Sequence, residues 1–155
     1  MQVSCGWSYT VARGVTLEGD IVHVAWGRND MGQVSSDISA KKVPYPILLE
    51  PPPGKALSTV WCGSEFMLVR AVDPHEPGEG RGELWGRGWS EHGNLGQGTE
   101  LLEEPVERCH WKWQPTLQVG GGIGGLEVDD WGGLVACGGA HCIALIGQSS
   151  GNEPS

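Results

Sequence analysis

The chain has 155 residues, a length that suits one domain with its own hydrophobic core. Its 19 acidic residues outnumber 10 basic ones, and the formal net charge is −9. Nucleic-acid binding needs clustered lysine and arginine, so this balance argues against DNA or RNA as a partner. No apolar run approaches the roughly 20 residues that cross a bilayer, so we expect no membrane partner either.

Five cysteines are present, at spacings that fit neither a disulfide framework nor a zinc site. The N-terminus lacks a basic region followed by a long apolar core, which is the pattern of a secretory signal. These features favour a reducing compartment. We therefore expect a cytoplasmic location, with a nuclear one as the alternative.

The composition and the short apolar runs predict an all-β fold. The chain contains 26 glycines and 8 tryptophans but a single phenylalanine, which is typical of tight turns between short strands. Runs rich in strand-forming residues, such as Asp20–Trp26 and Ser58–Val69, alternate with glycine and proline, and no long amphipathic helix pattern occurs.

In chain order, the first repeated element is a valine, one residue, Cys-Gly, two residues and then a ring. It occurs over residues 3–12, 60–69 and 135–144. The ring is Tyr9, Phe66 or His141, and an aliphatic residue follows two positions later. A spacing of two places the ring and the aliphatic side chain on one face of a strand.

A second element lies between the copies of the first. Residues 25–33 (AWGRNDMGQ) align with residues 86–94 (GRGWSEHGN), which pairs Gly27 with Gly88 and Gly32 with Gly93. A third, weaker element pairs a proline and the aliphatic residue after it, Pro46-Ile47 with Pro105-Val106.

The spacings between the elements predict about two and a half repeats over residues 2–146 and a polar tail over 147–155. Differences in spacing place insertions near 73–82 and 114–130, which we expect to be surface loops.

The order of these motifs resembles the repeat of the regulator-of-chromosome-condensation (RCC1-like) family. That resemblance implies a seven-bladed β-propeller, of which this chain holds about two to three four-stranded blades. Some positions depart from the family pattern: Arg87 stands in the place of the aromatic residue Trp26, and Tyr9 and Phe66 replace a histidine. A partial ring has open sheet edges, so we expect the C-terminal part of a longer protein or several chains completing one ring.

The neighbours Glu91 and His92, which follow Trp89 in the stretch GWSEHGNLGQG, are a candidate acid–base pair. The aligned copy carries Asp30 and Met31 at the same positions, and methionine cannot do that chemistry. A turn framed by glycines is the better interpretation. Any role for Trp89, Glu91 and His92 is then recognition of a partner at a loop.

Other candidate sites give way to structural interpretations. Zinc is suggested by Cys137, Cys142, His141 and the Cys109-His110 pair, but no tetrahedral spacing supports a metal. Cys137 lies at the repeat position of Cys5 and Cys62, where a small buried residue is enough, and His141 lies at the ring position of Tyr9 and Phe66. The stretch GGGIGG (120–125) lacks the Gly-Lys-Ser/Thr of a phosphate-binding loop. No catalytic, cofactor or metal site is therefore predicted.

Trp111 and Trp113, in the stretch WKW, are further candidates for partner binding, because aromatic residues are enriched at interfaces. The alternative is that both indoles cover the adjacent blade.

The predicted function is that of a non-enzymatic protein-interaction scaffold. Within the family, GWSEHGN close to the last repeat resembles the end of the fungal α-tubulin-suppressor-like propeller. That resemblance implies an adaptor in diphthamide synthesis and tRNA wobble-uridine modification, with a small zinc-carrying protein as partner. The alternative within the family is guanine-nucleotide exchange on a small GTPase.

Overall fold

The computed structural model describes residues 2–37, 39–75, 82–96, 109–116, 127–128 and 134–145. These residues form β-strands joined by turns. The strands are β1 (Gln2–Cys5), β2 (Tyr9–Val15), β3 (Ile21–Arg28), β4 (Lys42–Leu48), β5 (Ala56–Cys62), β6 (Phe66–Val72), β7 (Gly82–Trp89), β8 (Cys109–Pro115), β9 (Glu127–Val128), β10 (Leu134–Cys137) and β11 (Cys142–Leu145). In this part of the chain no helix is long and apolar enough to cross a membrane.

The strands form antiparallel meanders, each of which we call a blade. Blade 1 has the order β1-β2-β3-β4, and blade 2 has the order β5-β6-β7-β8 with β9 paired to β7. A third sheet contains the β10–β11 hairpin. Strand β5 contacts both β1 and β10, so these three strands lie side by side as the inner strands of successive blades. The predicted all-β fold with two to three blades is confirmed.

The first repeated element forms the hairpin between the two innermost strands of each sheet. The amide of Gly6 donates to the carbonyl of Tyr9 at 3.0 Å, and Gly63 donates to Phe66 in the same way at 2.8 Å. A Cβ atom on Gly6 would lie 2.0 Å from the Tyr9 ring, and one on Gly63 would lie 2.3 Å from the Phe66 ring. The ring folds over the turn, and only glycine leaves room for it.

Two cores lie between the blades. The first, between blades 1 and 2, includes Tyr9, Val11, Ala25, Val34, Val43, Leu49, Val60, Cys62, Met67, Val69 and Trp113. The second, between blade 2 and the third hairpin, includes Phe66, Leu68, Leu84, Leu95 and Val135. Each blade presents one sheet face to the next blade, and these faces are where most of the described apolar side chains are buried.

The register of the outer strands corrects the weakest sequence match. Gly27 pairs with Val43 in blade 1, and Gly88 pairs with His110 in blade 2. Counting along β4 and β8 from these pairs makes Trp113 the counterpart of Pro46, so matching Pro105 to Pro46 is wrong. A lone proline before an aliphatic residue is a weak signal, whereas pairing with the preceding strand sets the register.

The predicted repeat bounds stay a prediction, because much of both insertions and the whole tail lie outside the described residues. So do Pro105 and the stretch GGGIGG.

Candidate recognition surface

The strand pairing brings the second repeated element beside the turn of the first. Tyr9 pairs with Gly27 and Phe66 pairs with Gly88, so β3 and β7 end at the side where β2 and β6 begin. The loops that follow β3 and β7 therefore lie at one end of the blades together with the inner hairpin turns. We call this end the turn face and define it by Trp7, Arg28, Asp30, Glu65, Trp89, Glu91 and His92.

Glycine sets the shape of both loops on the turn face. Gly32 and Gly93 have φ values of 76° and 69°, in the left-handed region that side chains disfavour. The Gly32 amide donates to the Asn29 carbonyl at 3.1 Å, and the Gly93 amide donates to the Ser90 carbonyl at 3.0 Å. The two loops therefore have the same hydrogen-bonded turn. The sequence prediction of a glycine-framed turn is confirmed by this geometry.

In blade 2 the structure brings Trp89, Glu91 and His92 together. The indole Nε1–H of Trp89 donates to Oε2 of Glu91 at 3.3 Å. The Trp89 and His92 rings meet edge to face, with centroids 5.0 Å apart and planes at 78°. Trp89 is half-buried, while Glu91 and His92 are exposed. The three side chains form a surface cluster centred on an indole, an arrangement suited to binding.

In blade 1 a charged cluster occupies the equivalent place. The Arg28 guanidinium contacts the Asp30 carboxylate through two of its nitrogens, with Nε 2.7 Å from Oδ2. Its Nη1 lies 2.8 Å from Oε1 of Glu65, which belongs to the hairpin turn of blade 2. These carboxylates raise the pKa of Arg28, chiefly through the hydrogen bond to Asp30. Asp30 and Glu91 are thus both held by the side chain two residues before them.

Backbone hydrogen bonds connect the clusters into one surface. The Trp7 amide donates to the Ser64 carbonyl at 3.0 Å, and the Trp89 amide donates to the Glu65 carbonyl at 2.9 Å. Ser64 in turn donates to Gly138 of the third hairpin at 3.2 Å. Trp7 is 77% exposed at the edge of this network. The turn face therefore joins two indoles, three carboxylates, a guanidinium and an imidazole.

Sequence reasoning missed Trp7, Arg28, Asp30 and Glu65 as parts of this surface. Trp7 and Glu65 occupy the two variable positions between Cys-Gly and the ring, where the repeat pattern says nothing. Arg28 and Asp30 were visible in the alignment with Trp89 and Glu91. The signal that would have found them is that alignment, applied to the exposed positions as well as to the glycines.

Trp113 does not lie on an open surface. Its indole is 8% exposed, and Nε1 donates to the Glu50 carbonyl of blade 1 at 2.8 Å. The Arg87 guanidinium lies over the ring, 4.6 Å from its centroid. The alternative interpretation, in which the indole covers the adjacent blade, describes this residue. The side chain of Trp111 lies outside the described part of the chain.

Arg87 itself is a buried cation at the interface between blades 1 and 2, which we call the first interface. It is 1% exposed and donates from Nε to the Gln33 carbonyl at 3.4 Å and from Nη2 to the Val34 carbonyl. Burial lowers the pKa of Arg87 to about 10, against the opposing effect of Glu50. Even so, Arg87 stays charged at neutral pH, with backbone carbonyls and an indole replacing water.

The described residues contain no group of three or more histidine, cysteine, aspartate or glutamate side chains that could hold a metal ion. Glu91 and His92 each contact Trp89. This cluster presents an indole, a carboxylate and an imidazole side by side.

Comparison with known proteins places this fold. No protein-family model matches the chain. The Ultraviolet-B receptor UVR8 of Arabidopsis thaliana is 30% identical over 145 residues, which make up 93% of this chain and 26% of the receptor. This chain therefore spans about a quarter of that relative.

Two solved structures resemble the fold. The structure of Kap60 bound to yeast RCC1 (Prp20) matches with a TM-score of 0.59 at 19% identity, over 94% of this chain and 29% of the matched chain. The structure of Prp20p from Saccharomyces cerevisiae, described with its binding properties to Gsp1p and histones, matches with a TM-score of 0.55 at 19% identity, over 94% of this chain and 30% of the matched chain. At this identity the matches show the fold alone.

The described strands form part of a β-propeller. Its repeats are RCC1-like repeats, as the sequence resemblance implied.

Proposed function

We propose that this chain is part of a non-enzymatic propeller scaffold that binds a protein partner through the turn face. The observation that carries the proposal is the continuity of this surface across both blades, from the exposed Trp7 through Glu65 to Trp89 and His92. An indole in such a setting supplies a large contact area at small entropic cost.

The charge of the turn face supports a partner with basic side chains. The turn face holds three carboxylates, of Asp30, Glu65 and Glu91, and one guanidinium, that of Arg28, which pairs with the first two. The whole chain carries −9. Lysine or arginine on a partner gains both from the carboxylates and from the indole faces. The proposed location is the cytoplasm, with the nucleus as the alternative.

The test is a binding experiment with matched surface variants. Trp7→Ala combined with Trp89→Ala removes both indoles, whereas Leu17→Ala removes an exposed apolar side chain in the β2–β3 turn at the opposite end of blade 1. We expect proteins captured by the wild type and by Leu17→Ala to be lost with the double variant, with circular dichroism unchanged. Equal capture by all three proteins would place the partner elsewhere.

The alternative function is guanine-nucleotide exchange on a small GTPase. It is supported by the likeness to Prp20p, whose structure is described with its binding to Gsp1p. Release of a fluorescent nucleotide from a panel of small GTPases tests it. An unchanged release rate with folded protein contradicts exchange and leaves the scaffold proposal standing.

The adaptor role in diphthamide synthesis and wobble-uridine modification is a narrower form of the scaffold proposal. Its support is the resemblance of GWSEHGN to the end of the fungal α-tubulin-suppressor-like propeller. We expect a small zinc-carrying protein among the captured partners. Its absence, when other partners are still lost with the double variant, would remove this form and keep the scaffold.

A further inference from the structure

Cys137 and Cys142 face each other across the third hairpin. They are direct partners in the β10–β11 ladder. The Gly138 amide donates to the His141 carbonyl at 2.8 Å, which makes 138 and 141 the hydrogen-bonded pair next to the turn. Cys137 and Cys142 are then the following, non-hydrogen-bonded pair, whose Cα atoms lie about 4.5 Å apart in such ladders. A disulfide requires about 4.4–6.8 Å.

This pairing is specific to one hairpin among the three inner hairpins described. The equivalent partners are Cys5 with Thr10 and Cys62 with Met67, so each of the other two hairpins has one thiol at this position. The first cysteine therefore follows the repeat, whereas the second, Cys142, is an addition that the repeat does not call for.

Both thiols of the third hairpin are partly buried against blade 2. The Cys142 S–H donates to the Asn94 carbonyl at 3.0 Å, and Cys137 Sγ lies 3.9 Å from the Trp61 carbonyl. Burial raises the pKa of Cys137 to about 12, with smaller effects of Cys142 and Cys62, and burial raises the pKa of Cys142 as well. The thiols are protonated at neutral pH, so their reactions are slow and speed up with rising pH.

We propose that Cys137 and Cys142 are a redox modification site and form a disulfide within the hairpin in the presence of a disulfide oxidant such as oxidised glutathione. Cys142 loses its proton and attacks one sulfur of the oxidant, which releases one glutathione thiolate. Cys137 then loses its proton and attacks the mixed disulfide, which releases the second. Two protein thiols lose two electrons and two protons, and the oxidant becomes two molecules of reduced glutathione.

Oxidation also changes the turn face. The Cys142 sulfur loses its hydrogen, so the carbonyl of Asn94 loses its donor. Asn94 is 3% exposed and holds the loop of blade 2, because its Nδ2 donates to the Trp89 carbonyl at 2.5 Å. Asn94 thus connects the disulfide to the cluster of Trp89, Glu91 and His92. The disulfide does not depend on the proposed function, whereas its effect on binding rests on it.

The experiment equilibrates the full chain in glutathione buffers of increasing oxidation at mildly alkaline pH, starting from fully reduced and from fully oxidised protein. Acid quenching, alkylation after unfolding and peptide mass spectrometry identify the linked cysteines. We expect both starting points to converge on a loss of two hydrogens in the peptide that holds Cys137 and Cys142. Cys62→Ser should keep this link, and Cys142→Ser should abolish it while keeping a hydroxyl donor for Asn94.

A link between Cys62 and Cys137, or both thiols of the pair still alkylated from both starting points, would overturn the proposal. Partner capture and the Trp89 part of the fluorescence, taken as the difference from the same protein carrying Trp89→Phe, are measured separately on the oxidised wild type and on Cys142→Ser under the same buffers. A change in the wild type alone supports the connection to the turn face. A disulfide with unchanged fluorescence and capture confines the modification to the hairpin.

Discussion

The two interfaces between blades use equivalent positions in different ways. Tyr9 and Phe66 are counterparts, as are His23 and Leu84, yet the first interface holds the polar member of each pair and the second holds the apolar one. The Tyr9 hydroxyl donates to the Phe66 carbonyl, and Arg87 joins the same interface. Phe66 and Leu84 are buried among aliphatic side chains. The same backbone arrangement therefore accepts either polar or apolar side chains. The buried Tyr9 hydroxyl has a partner, whereas Nε2 of buried His23 has none among the described residues.

The largest expected effect is that of Arg87→Ala on the first interface. The change leaves the Gln33 and Val34 carbonyls without this donor and removes the cation over Trp113, so we expect the free energy of unfolding to fall by about 3 kcal/mol. Arg87→Lys keeps the charge but not the planar guanidinium with its several N–H donors, so the free energy of unfolding should fall by about half as much. Urea unfolding followed by tryptophan fluorescence measures both.

Arg28→Ala is the matched control, because its guanidinium side chain is 48% exposed. Its effect on the free energy of unfolding should be much smaller than that of Arg87→Ala, because exposed ion pairs are screened by solvent. If Arg87→Ala and Arg28→Ala cost the same, Arg87 is not a structural cation of the first interface.

His23 should make the first interface sensitive to acid. Burial, followed by the nearby Arg13, lowers the pKa of His23 from 6.5 to about 4. The unfolded chain takes up a proton between these values and the folded chain does not. The stability contributed by neutral His23 is therefore complete above pH 6.5 and is lost as the pH falls towards 4, by up to about 3 kcal/mol.

His23→Leu installs the residue that the second interface already has in Leu84. Stability measured from pH 4 to pH 7 should then depend less on pH in this variant than in the wild type. Equal slopes for the two proteins would contradict the buried, neutral state of His23. The difference between the proteins isolates His23, because the other histidines remain in both.

The repeat geometry could be predicted from the sequence because its constraints are local. A ring folded over a glycine three residues earlier, as with Tyr9 and Gly6, needs fixed spacing and leaves a visible pattern. The same holds for Gly32 and Gly93 in the loops of the turn face. Such features recur because each blade must make the same turn, and recurrence is what one sequence reveals without relatives.

The contacts between blades could not be predicted in the same way. Arg87 was recognised as a departure from an aromatic position, but its acceptors lie more than 50 positions away along the chain. The burial of Trp113 depends on Glu50, which is 63 positions away, and on the register of β8 against β7. Contacts between residues so far apart produce no periodic pattern in the sequence. The sequence therefore could not decide whether Trp113 binds a partner or covers the adjacent blade.

Tyr9→Phe is the smallest change and the most direct test of the difference between the polar first interface and the apolar second one. It gives position 9 the side chain that position 66 already has. The lost hydroxyl donates to the Phe66 carbonyl and lies 3.3 Å from the Gly63 carbonyl. The Phe66 carbonyl keeps the Gly63 amide as a donor, at 2.8 Å, so the variant leaves it partly satisfied. We therefore expect a loss of about 1 kcal/mol, at the lower end for a buried hydroxyl. Tyr45→Phe is the control at a ring that is 77% exposed, and should change the urea midpoint little. A loss of several kcal/mol at Tyr9 would mean that the hydroxyl, rather than the packing of the ring, holds the first two blades together.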